Sequence, residues 1–90
     1  MNKLDQSRTR YLSYLKNERG YSAHTVQAYD RSLVHLIDFL LDLDENIKDW
    51  PQVTESHLKS WLATFRKQQL KPSSIQAKTS SIKGFFNFLF

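Results

Sequence analysis

KPSSIQAKTSSIKGFFNFLF, residues 71–90, reads as one helix with two working faces. Pro72 is tolerated only at a helix entrance, and Ser73 or Ser74 is placed to cap the free amides there. At about 100° per residue, Ile75, Thr79, Ile82, Phe86 and Leu89 share a stripe that should be core. The other side carries Ser73, Ser74, Ala77, Lys78, Ser81 and Gly84. Those side chains are small or hydroxylic, with one lysine and no acid. Ordinary solvent-facing helices mix both signs of charge. A small, acid-free face lets a flat polyanion approach closely, and duplex DNA is the natural candidate. A serine-rich face packed on a neighbouring helix would have the same pattern, so both readings stand at this point.

Outward from that helix, Gln69 to Pro72 forms a turn, and Glu55–Gln68 reads as the preceding helix. Leu58, Trp61, Leu62 and Phe65 point inward there. Thr54 is its N-cap candidate, and Glu55 suits the positive end of the helix dipole. Asp44–Val53 is a connection. Ile47 and Trp50 should anchor it on the core, and Pro51 blocks helix. Before it lies a long helix, Ala23–Leu43, with Val26, Tyr29, Leu33, Leu36, Ile37 and Leu40 buried. Its opposite face carries His24, Gln27, Ala28, Arg31 and His35, without an acid over the first three turns. Asp30 falls near the core edge and should bond a neighbouring helix or a lysine. The first helix is Asn2–Arg19, with Leu4, Arg8, Tyr11, Leu12 and Leu15 on one face and Glu18 at its edge. The stem of Arg8 can lie along apolar surface while its head reaches water. Gly20 stands where a left-handed cap is needed, Tyr21 where a hydrophobic staple packs, and Ser22 where the next helix is capped. The pattern predicts an all-α fold, a compact antiparallel four-helix bundle.

Ninety residues, 40% hydrophobic with two Gly and two Pro, make one helical domain rather than a sandwich or barrel. There is no cysteine, which excludes disulfides and thiolate metal sites and suggests a reducing, cytoplasmic setting. No apolar run approaches the length of a membrane span, and the first residues have no signal-peptide block. Net charge is +4, unevenly spread. No Asp or Glu occurs from Ser56 to Phe90, against Lys59, Arg66, Lys67, Lys71, Lys78 and Lys83. Asp38, Asp42, Asp44, Glu45 and Asp49 cluster mid-chain. One basic side is the electrostatic footprint of a nucleic-acid binder.

His24, His35 and His57 fit no metal-ligand spacing with a carboxylate. The two glycines form no phosphate-cradling loop, and the acidic cluster lacks the Gly and closing Glu of a calcium loop. Tyr11 and Tyr29 fall on core stripes, while Tyr14 and Tyr21 read as packing residues. No catalytic residue, metal, cofactor or small-molecule ligand is expected of these residues.

Three segments together resemble one family. YLKNERGYSAHTVQAYDRSLVHLIDFL (Tyr14–Leu40) is similar to the opening of tyrosine site-specific recombinases: a helix ending in ERG-like residues, a Ser/His/Thr turn, then Tyr-x-Arg-x-Leu. WPQVTESHLKSWL (Trp50–Leu62) is similar to their third helix after a Trp-bearing loop. SSIQAKTSSIKGFFNFL resembles their S-[IL]-x-x-[RK]-L-S-[AS]-[LI]-[RK]-x-F-F-x-[FYW]-L. Order and spacing match over nearly the whole chain, nearest the bacterial XerC/XerD subgroup and leaning to XerC. The resemblance implies a SAM-like core-binding domain, residues 1–90, that clamps duplex DNA together with a catalytic domain absent from these residues. It implies related recombinase subunits as partners of a full-length protein, and DNA integration or chromosome-dimer resolution as that protein's task. It also implies DNA-facing positions: Thr25, Gln27, Ala28 and Arg31 on the second helix, and Lys71, Ser73, Ser74, Ala77, Lys78 and Ser81 at the fourth. Three positions depart from the family pattern. Asp30 stands where the family has a basic or neutral polar residue, Ala77 where it has Arg or Lys, and Thr79 where it has Leu.

Phe85 and Phe88 fall off the expected core stripe and Phe90 is terminal. Exposed aromatics of this kind suggest a missing neighbour, a chain cut where the linker to a second domain begins. Alternatively, the rings pack onto the first helix. Function has two expectations: a DNA-binding module in which Arg31, Lys71 and Lys78 meet phosphates and Gln27, Ser74 and Ala77 lie nearest base edges, or a helical protein-interaction module without DNA binding.

Overall fold

The structure, a computed structural model, describes residues 2–90. Four helices carry it: α1 (Lys3–Asn17), α2 (Ala23–Leu43), α3 (Glu55–Lys67) and α4 (Pro72–Leu89), with a short 3-10 turn at Trp50–Gln52. No strand occurs among the described residues. The fold class read from periodicity is therefore what the chain adopts.

Local chemistry sets the helix ends. Asn2 caps α1 by accepting from Asp5 N–H at 2.8 Å. Gly20 adopts φ +64°, the left-handed value that closes the turn after α1. Ser22 caps α2 through Thr25 N–H. Thr54 and His57 cap α3 reciprocally: His57 N–H donates to Thr54 Oγ1 and Thr54 N–H donates to His57 Nδ1. A histidine thus takes the place a Glu or Gln usually holds in this box. The start of α4 departs from expectation. Lys71 is its N-cap residue, Pro72 its first helical residue, and no side chain caps it, so neither Ser73 nor Ser74 has that role.

α2 and α4 pack on each other, and each also packs against both α1 and α3. Leu33, Leu36 and Leu40 of α2, Leu4 of α1, Trp61 of α3 and Phe85 of α4 are essentially inaccessible at the centre. The connection after α2 is pinned as expected. Ile47 and Trp50 are buried, and the Trp50 indole N–H donates to the Leu4 carbonyl at 3.2 Å. Gln52 fixes the loop around it, accepting from the Lys48 and Asp49 amides and donating to the Asn46 carbonyl. Asp30 meets the head of Arg8, joining α1 to α2, so its partner is an arginine of a neighbouring helix.

The expected core stripe of α4 is rotated. Ser81, Ile82 and Phe85 are its buried residues, while Ile75, Thr79, Phe86 and Leu89 are half-buried flanks. The reason is geometric: a helix touching three others buries more than one stripe, and a single-partner projection misses the sides. Phe85, expected off the core, has no exposure at all. Phe88 packs on Tyr14 and Tyr11, with ring centroids 4.9 and 5.2 Å apart. These two rings follow the alternative reading, packing inward. Phe90 alone of the three is exposed, stacked loosely on Phe86. Gly84 also turns inward. A Cβ there would stand 2.8 Å from the Tyr11 hydroxyl oxygen, so the glycine admits the ring. The polar Thr79 is satisfied within its own helix by donating to the Ile75 carbonyl.

Candidate nucleic-acid interface

Where α2 crosses α4, a groove of about 630 Å³ opens, lined on the α2 side by Ala28, Tyr29, Arg31 and Ser32 and on the α4 side by Ser74, Ala77, Lys78, Ser80 and Ser81, with Leu70 at one end. No lining residue is acidic. Arg31 of α2 and Lys78 of α4, far apart in the sequence, thus converge on one groove. The small residues have a purpose in packing: Ala28 and Ala77 leave room between the helices that larger side chains would fill.

The two helices favour negative charge beside this groove. Neither α2 nor α4 has an acid in its first turn, and α4 has no side-chain cap. Ser22 caps α2, whereas the positive end of α4, which brings Ser74 to the groove, is left uncompensated. Arg31, Lys71 and Lys78 take part in no ion pair among the described residues. Lys78 is half-buried, and its ammonium lies 5.0 Å from the centroid of the Phe65 ring, which steadies the charge at the groove without neutralising it. Asp30 subtracts less from this potential than its sequence position suggests, because Arg8 holds its carboxylate.

The remaining expected positions divide. Gln27, Ala28, Lys71, Ser73, Ser74 and Ala77 are exposed. Thr25 is half-buried, and its hydroxyl lies 3.0 Å from that of Ser22 in the α2 cap. Ser81 is 5% exposed and donates to the Ala77 carbonyl at 3.0 Å, so it forms groove floor rather than contact surface. Gly84, grouped with the acid-free face by periodicity, belongs to the α1 contact instead. Periodicity places His35 on the same α2 face as Arg31 but is silent on its contacts with α3. His35, one turn along α2, accepts the Trp61 indole N–H on Nδ1 at 2.9 Å and lies against Phe65.

A second cluster gathers all four tyrosines. Tyr11, Tyr14, Tyr21 and Tyr29 line a cavity of about 330 Å³ with Arg19, Asn87 and Gly84. Burial first, then the neighbouring phenols, push the Tyr11 pKa up to about 12. That is the opposite of an activated nucleophile. A hydrogen bond with Tyr14 raises the Arg19 pKa. Among the described residues no group of three His, Asp or Glu could hold a metal ion, and no helix is long and apolar enough to cross a membrane.

The architecture defines the class first: an all-α, four-helix domain of SAM-like type. The chain belongs to the family of phage integrase N-terminal SAM-like domains, whose family model matches residues 9–90. Among curated relatives it is similar to tyrosine recombinase XerC of Vibrio atlanticus, 33% identical over 88 residues, which is 98% of this chain and 28% of the relative. It is also similar to XerC of Haemophilus influenzae, 39% identical over 80 residues (89% and 26%), and to XerC of Lactobacillus delbrueckii, 38% identical over 79 residues (88% and 26%). The chain thus spans little more than a quarter of the length of these relatives. No solved structure matches it.

Proposed function

We propose that this domain binds duplex DNA through the α2–α4 groove and serves as the core-binding half of a tyrosine recombinase. The observation that carries this reading is the meeting of Arg31 and Lys78 in one acid-free groove. Arg31, Lys71 and Lys78 contact phosphates. Gln27, Ser74 and Ala77 lie nearest base edges, with Thr25, Ala28 and Ser73 beside them and Ser81 supporting the groove floor. Few of these side chains can make bidentate base contacts, so sequence specificity from this half is poor. Strand cleavage and rejoining, chromosome-dimer resolution and contact with related recombinase subunits belong to a longer protein, acting on DNA in the cytoplasm.

Fluorescence anisotropy with a short labelled duplex tests it. Binding should be micromolar or weaker at physiological salt, roughly the non-specific range, and should fall steeply as salt rises. Arg31→Ala and Lys78→Ala should each weaken binding and lower the slope of log affinity on log salt by about 0.9. No slope, or unchanged slopes in both variants, would remove the reading. The competing reading is a helical protein-interaction module. It is favoured by the apolar groove between α3 and α4, where Leu58, Leu62 and Phe86 meet. It requires both charge variants to leave partner binding intact.

A further inference from the structure

Trp61 is 1% exposed, and an indole N–H so deeply placed needs an acceptor. It finds one in His35 Nδ1 at 2.9 Å. Because indole nitrogen only donates, the imidazole nitrogen facing it carries no proton. A neutral imidazole must then hold its proton on Nε2. The His35 side chain is exposed. It stands one helical turn from Arg31 on α2, and its ring centroid lies 5.1 Å from that of Phe65. Phe65 is also the ring over which the Lys78 ammonium sits. Asp38, the next acid along α2, makes no ion pair with His35 among the described residues. An imidazole fixed on one nitrogen by a buried indole and on one face by a buried phenyl ring has little rotamer freedom left to lose on binding.

We infer that the phosphate-binding surface extends past the α2–α4 groove to His35, whose imidazole Trp61 holds as a neutral Nε2–H donor for a backbone phosphate oxygen. This rests on the DNA-binding reading above. His35 touches the phosphate. Trp61 is a positioning residue that acts through it. The contact differs in kind from those of Arg31 and Lys78. A neutral donor adds a hydrogen bond but neutralises no phosphate and releases no counterion. It should therefore add affinity that salt does not remove.

The test compares His35→Phe, which keeps the ring against Phe65 and loses both nitrogens, with His35→Gln, whose amide can place a donor near the position of Nε2. Duplex affinity is measured by anisotropy across a salt series, with thermal melts to verify folding. His35→Phe should bind roughly ten- to a hundredfold more weakly, as for loss of one hydrogen bond to a charged acceptor, with the salt slope of the parent. His35→Gln should recover part of the loss. Independently, nitrogen-15 NMR of the imidazole should show a protonated Nε2 and an unprotonated Nδ1 at neutral pH. A protonated Nδ1 overturns the inference whatever the DNA does. Unchanged affinity in a folded His35→Phe, with Arg31→Ala and Lys78→Ala still weakened, overturns it and leaves the groove reading standing. A slope reduced by about 0.9 makes His35 a cation in the complex, which also overturns it. If none of the variants changes binding, both readings fall together.

Discussion

Gly84 and Tyr11 constrain each other closely. Alanine at 84 would bring a methyl 2.8 Å from the Tyr11 hydroxyl oxygen, and Tyr11 is packed among Tyr14, Tyr29, Phe85 and Phe88 and cannot swing clear. Gly84→Ala should therefore destabilise by about 1 kcal/mol, overpacking outweighing the roughly 1 kcal/mol that alanine gains over glycine in a helix. In a Tyr11→Phe background the obstructing oxygen is gone, and the same change should stabilise by about 0.5–1 kcal/mol. Urea unfolding of the four proteins in the cycle reads the reversal of sign. Tyr11 also sets an alkaline limit. Below pH 10, its ordinary value, folded and unfolded chains both keep the phenolic proton. Between there and about 12 only the unfolded chain releases it, so stability should fall as pH rises through that window. The loss is on the order of 1 kcal/mol per pH unit, and Tyr11→Phe should lack this component in pH-dependent melts.

Among the elements, the connection between α2 and α3 is held by Ile47 and Gln52 and most of all by Trp50. Trp50 has 1% exposure, and its ring lies 4.7 Å from that of Phe85 and 5.7 Å from that of Phe86. It thereby ties the loop to α4, and through the Leu4 carbonyl to α1. Trp50→Ala should cost about 3–5 kcal/mol, enough to unfold many domains of this size. Trp50→Phe keeps most of the apolar contact and loses the hydrogen bond, and should cost about 1–2 kcal/mol. Chemical denaturation separates the two. The role of α4 is less legible than that of the loop. Its residues are apolar or small on several sides because it touches three helices, and periodicity projects them as if there were one. Phe85, Ser81 and Gly84 are the residues this misplaces. α2 touches three helices as well, but its long, regular apolar stripe still buries Leu33, Leu36, Ile37 and Leu40 as the spacing predicts.

Over the whole molecule, charge is segregated along α2. Its groove end carries Arg31, while Asp42, Asp44 and Glu45 lie at or just beyond its other end. At 1.5 Å per residue Arg31 and Asp42 are separated by about 16 Å along the axis, about twice the Debye length of roughly 8 Å at physiological salt. Neutralising all three acids (Asp42→Asn, Asp44→Asn, Glu45→Gln) should therefore change duplex affinity less than twofold at 0.15 M salt. At 0.01 M, where the screening length is roughly 30 Å, the same protein should bind several-fold more tightly than its parent. Anisotropy at the two ionic strengths checks this.

Sequence by itself determined the four helices, the glycine and serine that end one and begin the next, the anchoring Trp50 and the acid-free character of two helix faces. These follow from local geometry and from periodicity along a single helix. Only the tertiary structure decided that Arg31 and Lys78 share a groove, that Ser81 forms its floor, that Phe85 is central, and that Trp61 and His35 meet. Each of those depends on how one helix is rotated against two or three others, and that rotation is fixed by side chains far apart in the chain.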